Sequence, residues 1–434
     1  MTRKIPGLLL GLTIIVSTLK AQHQADTSKA VDWKWYNEAK YGLFLHYGLY
    51  AIPAGSWKGK DYKGVSEWIQ QKASIPIKEY EALASQFNPT RFNAEEWVLF
   101  AKNAGLRYIV ITAKHHDGFA MFKSDVSKFN IVDASPFKRD MMKELADACK
   151  KHNMKLGFYY SQTVDWHERD AVGNNWDYKD YPRDFSRFLE EKCKPQLREL
   201  LTNYGEISVI WFDGGERMRP EHSKALVDWV HQFQPNCLTT TRVGNGMGEL
   251  IALGDNELPK TKVKLPFEAL FTHNIKSWGY SLVEKELRTP REIITILLTS
   301  SAKGGNLLLN LGPKPDGTFQ QESVRDLNVV GKWINANAEA IYDTQTSPLP
   351  DVDWGYVTAK PGVLYLHIMN WPNNGKLIIP LKGAVKASAK LLVGSSDISS
   401  RLKSEQLIIT LPQTGQDEIC TVVKVNYTGN LNSL

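Results

Sequence analysis

Between residues 36 and 340 the hydrophobic pattern switches repeatedly between two periods. Near-continuous apolar runs at 41–47, 107–113, 155–161, 207–213 and 237–242, with a late one at 306–311, read as strands covered on both faces. Segments at 94–104, 141–151, 185–203, 223–233, 292–301 and 323–341 carry the helical repeat. Strand–helix units at this spacing predict a parallel sheet, and about 300 residues of them favour a (β/α)8 barrel. Positions 244–285 show no clear period. Beyond Thr344 the texture changes to short alternating runs at 357–359, 362–369, 375–381, 390–393, 407–411 and 421–427, split by turn signals such as Pro372-Asn-Asn-Gly375. That pattern predicts a small antiparallel β-sandwich. The expected division is a barrel over 22–345 and a sandwich over 346–434.

The strand ends carry the chemistry. The first ends in His46-Tyr-Gly48, and the second runs into His115-His116-Asp117-Gly118-Phe119. The third ends Tyr159-Tyr160-Ser161, with Asp165-Trp166-His167 beyond it, and the fourth ends Trp211-Phe-Asp213-Gly214. A single polar tip means little, since Asp213 would serve as a helix cap or turn residue. Four tips in chain order exceed what packing requires. The C-terminal ends of parallel barrel strands are where such folds place catalytic groups.

Composition narrows the classes. Residues 1–21 read as a secretory signal: Arg3 and Lys4, an apolar stretch over 8–16 too short to span a bilayer, and Ala21 as a cleavage position. The 53 basic and 47 acidic residues give +6, and removing that segment takes three bases and leaves 50 − 47 = +3. This is no footprint for nucleic acid. An exported, secreted or periplasmic protein without a membrane span is expected. Cys149, Cys193, Cys237 and Cys420 show no CxxC spacing, so isolated buried thiols are favoured over a disulfide and a zinc or thioredoxin motif is excluded.

His46, His115, His116 and Asp213 suggest a metal site. However, His115 and His116 are adjacent and on a strand would point to opposite faces, so no metal and no cofactor is expected. No GxSxG elbow occurs. The remaining chemistry is that of two carboxylates, as in glycoside hydrolysis. Asp213 supplies one, and Glu268, Glu257 and Glu67 compete for the other. The 13 Trp, 17 Tyr and 16 Phe leave ample aromatic surface for stacking on sugars, although most such side chains are core.

The motifs Lys40-Tyr-Gly-Leu-Phe-Leu-His46-Tyr-Gly48, Ser66-Glu67-Trp68, Ala113-Lys-His115-His116-Asp117-Gly118-Phe119, Trp211-Phe-Asp213-Gly214, Ser277-Trp-Gly-Tyr280 and Gly304-Gly305-Asn306-Leu-Leu-Leu-Asn310-Leu-Gly312-Pro313 occur in this order over roughly residues 36–345. Together they resemble the α-L-fucosidases of glycoside hydrolase family 29. The resemblance implies a retaining exo-α-L-fucosidase acting on fucosylated glycans. Asp213 falls on the nucleophile and Glu268 on the acid/base, although Phe267 precedes it where the family often has Trp. The family's Thr-Pro-Glu segment appears here as Asn256-Glu257-Leu258-Pro259. His46, Glu67, His115, His116, Tyr160, Trp211 and Trp278 fall on sugar-contacting positions. Tyr160 is preferred over Tyr159, Glu67 has a second reading as a brace for a histidine, and Trp278 has one as a packing residue. The rival from another class is a catalytically silent carbohydrate-binding protein on the same fold.

Overall fold

The computed structural model describes residues 32–431; the segment read as an export signal lies outside them. Eight parallel strands form one curled sheet: β1 (Tyr41–Leu45), β2 (Tyr108–Lys114), β3 (Lys155–Tyr160), β4 (Val209–Phe212), β5 (Leu238–Thr239), β6 (Ile251–Asp255), β7 (Phe267–Thr272) and β8 (Asn306–Leu311). Their order is β5-β4-β3-β2-β1-β8-β7-β6. The two edges meet through a parallel backbone pair at Thr240 and Leu250, which curls the sheet into a barrel. The region without clear period therefore supplies two of the strands, β6 and β7. The fifth strand is shorter than the pattern suggests: it stops at Thr239, and Thr241–Val243 form a 3₁₀ turn.

Helices pack around this sheet: α1 (Ala94–Asn103), α2 (Met141–Lys151), α3 (Lys194–Asn203), α4 (Pro220–Phe233), α5 (Pro290–Ala302) and α6 (Gln321–Ala336). Their starts follow local chemistry. Asn93 accepts from the Glu96 amide, Asp140 from that of Lys143, and Thr289 forms a reciprocal capping box with Glu292 ahead of Pro290. The long helix expected over 185–203 contains a π-helical turn at Leu189–Cys193.

Strand alternation sorts the core into two layers. Tyr108, Val110, Tyr159, Val209, Trp211, Leu270 and Leu308 point into the barrel. Ile109, Phe158, Tyr160, Ile210, Phe212, Phe267 and Ala269 pack outward against the helices. The C-terminal part holds two antiparallel sheets. One contains β9 (Gly355–Lys360), β10 (Val363–Ile368), β12 (Ala384–Leu391) and β14 (Thr421–Gly429); the other contains β11 (Lys376–Pro380) and β13 (Gln406–Thr410). They share a separate apolar core that includes Leu364, Leu377, Leu407 and Val423. All four cysteines are buried and unpaired. Among the described residues no helix is long and apolar enough to cross a membrane.

Candidate active site

A pocket of about 270 Å³ opens at the C-terminal end of the barrel strands, lined by Phe44, His46, Glu67, Trp68, His115, His116, Tyr159, Trp211, Asp213, Arg242, Asp255 and Trp278, among others. Asp213 sits one residue past β4. Gly214 follows at φ +77°, where a residue without Cβ turns the chain without strain. The Asp213 amide donates to Gln162 Oε1 at 2.8 Å, so the tip is held from its backbone. Tyr159 donates its hydroxyl to Oδ2 at 2.9 Å, and Arg242 Nη1 donates to Oδ1 at 3.2 Å. His116 Nε2 lies 3.7 Å from Oδ2. Burial alone would raise the Asp213 pKa. The Arg242 charge, His116 and the Tyr159 hydrogen bond outweigh it and hold the group below its ordinary value.

The histidines are oriented from behind. His46 Nδ1 meets Asn310 Oδ1 at 2.7 Å, while Asn310 Nδ2 donates to the Trp278 carbonyl. Asn310 Oδ1 is therefore an acceptor, Nδ1 of His46 carries the proton, and Nε2 is left with a free lone pair. Similarly, Ser161 donates to the Val164 carbonyl, so His116 Nδ1 donates to Ser161 Oγ at 2.7 Å. Burial pushes the His46 pKa down to about 3 and that of His116 to about 4, and His115 falls well below its usual value for the same reason. All three rings are neutral at neutral pH. They present lone pairs and N–H groups suited to hydroxyls. His115 Nδ1 is buried without a partner.

Both His115 and His116 line the pocket, contrary to the opposite-face expectation. β2 ends at Lys114, so strand alternation no longer applies to them. The turn is fixed by the buried Lys114–Asp165 ion pair at 2.9 Å and by the Trp166 amide donating to the His116 carbonyl at 2.7 Å. Gly118 at φ +78° packs so closely that a Cβ would collide with the Asp165 carboxylate. Among the described residues no group of three or more His, Cys, Asp or Glu side chains is arranged to hold a metal ion.

Glu67 is buried against the Ser277-Trp278-Gly279 turn. Its Oε2 accepts from the Gly279 amide at 2.9 Å and the Trp278 amide at 3.2 Å, while Oε1 is sealed and unpartnered. Burial raises its pKa against those backbone donors.

Two expected site residues are elsewhere. Tyr160 points outward and donates to Gln196 Oε1 at 2.8 Å; Tyr159, one position earlier, faces the pocket. Glu268 is inside the barrel but beneath the pocket, paired in register with Asn306 at the start of β8. Its Oε1 accepts from the Tyr108 hydroxyl at 2.5 Å and its Oε2 from Trp211 Nε1 at 2.9 Å. Trp211 lies between it and the open site, so Glu268 is displaced from the position expected of an acid/base. Arg242 was invisible as a site residue because its strand candidate carried no recognisable motif. Its position at the tip of that strand was the available signal. Glu257 is exposed on the loop after β6, two residues past Asp255 of the pocket wall, with its carboxylate against Gly254.

The family model for alpha-L-fucosidase matches residues 15–339. The chain belongs to the α-L-fucosidase family, glycoside hydrolase family 29, and is a glycoside hydrolase of that activity class. Human plasma alpha-L-fucosidase is 29% identical over 408 residues, covering 87% of this chain and 85% of that protein. The crystal structure of an alpha-L-fucosidase from a Vibrio species superposes with a TM-score of 0.86 at 32% identity, covering 91% of this chain and 72% of the other. A family 29 enzyme from Bacteroides thetaiotaomicron, solved as a trapped covalent intermediate with 2-fluoro-fucosyl fluoride using a glutamate-to-glutamine mutant, gives 0.82 at 30% identity, over 91% and 95% of the two chains.

Proposed function

We propose that this protein is an exported, retaining exo-α-L-fucosidase in which Asp213 attacks the anomeric carbon of a terminal fucose. The observation that carries this reading is the ionised Asp213 at a barrel-strand tip, clamped by Tyr159 and Arg242 and open to the pocket. A carboxylate held below its usual pKa is ready as a nucleophile at neutral pH. The neutral His46, His115 and His116 supply partners for sugar hydroxyls. Trp211 and Trp278 supply apolar faces. The covalent intermediate trapped in the Bacteroides relative supports the double-displacement route. The apolar segment at 8–16 supports export.

The proton donor must face the glycosidic oxygen, which lies toward the mouth because the aglycone leaves that way. Glu268 is sealed beneath Trp211, and Glu67 is anchored by backbone amides with its free oxygen enclosed. Glu257 is exposed on the loop two residues past the pocket-lining Asp255 and is the carboxyl assigned to this step. It protonates the departing oxygen and then deprotonates water.

The test is turnover of an aryl α-L-fucoside by the wild-type enzyme, followed by Glu257→Ala. That variant should hydrolyse activated aryl fucosides far better than unactivated glycosides, and azide should accelerate it with α-fucosyl azide as product. No turnover by the wild type would establish the silent sugar-binding reading. Turnover by Glu257→Ala without leaving-group dependence or azide rescue would take the donor role away from Glu257.

A further inference from the structure

Glu268 is a buried carboxyl that the reaction does not touch, yet it is wired to the site. Its Oε2 accepts the indole N–H of Trp211 at 2.9 Å, and among the described residues no other partner holds that N–H. The Trp211 ring is the platform for both groups that hold Asp213. Tyr159 stacks on it, with centroids 5.6 Å apart and planes within 17°, and the Arg242 guanidinium lies 5.1 Å from its centroid. From below, Tyr108 holds the other carboxyl oxygen at 2.5 Å, and Tyr36 donates to the Phe267 carbonyl at 3.0 Å in the same cluster. Rotation of the indole about its side-chain bonds would shift Tyr159 and Arg242 together, and these two set the position and charge of Asp213.

We propose that Glu268 is a positioning residue for the displacement step, acting through the indole of Trp211 on the Tyr159–Arg242 clamp around Asp213. The proposal rests on the fucosidase reading above and deepens it. A rigid support behind reacting groups is worth orders of magnitude in rate when a small misplacement costs the attack geometry. Burial keeps Glu268 protonated up to about pH 7, and a neutral carboxyl still offers Oε2 to the indole. The role therefore requires an acceptor at this point and no negative charge, which separates it from acid/base catalysis.

The experiment is a double-mutant cycle on kcat and KM, with Glu268→Leu, Trp211→Phe and the combination, alongside Glu268→Gln. Wild-type turnover of 4-nitrophenyl α-L-fucoside is the control for the fucosidase reading; its absence would sink that reading separately. Glu268→Leu is expected to lower kcat about thirtyfold with KM within about threefold, equally for aryl and unactivated fucosides. In the Trp211→Phe background the same change should cost under about threefold, because the link is already cut. Glu268→Gln keeps an acceptor for the indole and should recover most of the lost kcat. Additive effects, or a Glu268→Gln variant as slow as Glu268→Leu, would overturn the proposal. So would azide rescue, which would make Glu268 the acid/base after all. If Glu268→Leu does not fold, Trp211→Phe alone decides: it must lower kcat, and unchanged kcat overturns the proposal.

Discussion

Two carboxylates on neighbouring levels of one barrel are both pushed up by burial yet end on opposite sides of their ordinary pKa. Asp213 at the mouth and Glu268 at the floor are each inside the sheet and each accept a tyrosine hydroxyl. Asp213 is held below its ordinary pKa, whereas Glu268 rises to about 7. The difference is the partner set. Arg242 brings a full positive charge within 3.2 Å of Asp213, and the side chain keeps 21% exposure. Glu268 accepts from neutral donors, Tyr108 and Trp211 foremost, feels Arg242 only weakly, and is sealed. Hydrogen bonds moderate desolvation, but here a cation is what reverses its effect. The mouth thus holds an anion at neutral pH, while the floor holds a group that exchanges its proton near neutrality and serves as a fixed acceptor.

The sharpest way to break this contrast is to remove the anion. Asp213→Ala should lower turnover of an aryl α-L-fucoside by on the order of 10³-fold or more, about 4 kcal/mol of barrier, with fucose affinity largely kept. Residual activity within tenfold of wild type would discard Asp213 as nucleophile.

At the floor, Glu268→Gln should change how stability depends on pH. The wild-type carboxyl rises from 4.5 to about 7 on folding, so between these values the folded state binds more protons than the unfolded state. Its contribution is therefore greatest below pH 4.5 and is lost as pH rises through 7, by on the order of 3 kcal/mol in total. Urea unfolding at pH 5 and pH 8 should show wild type losing stability relative to Glu268→Gln on going to pH 8. A constant difference would mean Glu268 is ionised throughout.

Arg242→Gln removes the cation and should make the mouth behave more like the floor. The Asp213 pKa should rise, so the acidic limb of kcat/KM against pH moves to higher pH. Loss at neutral pH should be about 2 kcal/mol, typical of breaking one partner of a buried charge pair. An unmoved acidic limb would assign that limb to another group.

Tyr159→Phe should cost about 1 kcal/mol in kcat/KM through the lost hydrogen bond to Asp213. Tyr160→Phe should leave kcat/KM within about twofold and instead lower stability by about 1 kcal/mol, since its hydroxyl serves the buried Gln196. The reverse outcome would invert the strand parity read from the structure.

Much of the site was legible as residue type at strand ends. His46, His115, His116, Trp211 and Asp213 all line the pocket because an apolar parallel strand must hand its chain to the open face at its C-terminal tip. The order of chemistry along the chain survives folding for that reason. The strands β6 and β7 were not legible, because a segment running from partly exposed Ile251–Asp255 to the buried Phe267–Thr272 carries no uniform period.

What sequence alone determined was therefore the alternating architecture, the change to antiparallel strands past Thr344, and Asp213 as the carboxylate at a strand tip. Local propensity and hydrophobic period encode these directly. The tertiary structure decided that Tyr159 and not Tyr160 faces the site, that Arg242 charges the mouth, and that Glu268 lies under Trp211. Each depends on register and depth in the barrel. Side chains alternate every residue along a strand, so one position in the pairing turns a site residue into a core residue, and a neighbouring strand, not the residue's own segment, sets that position.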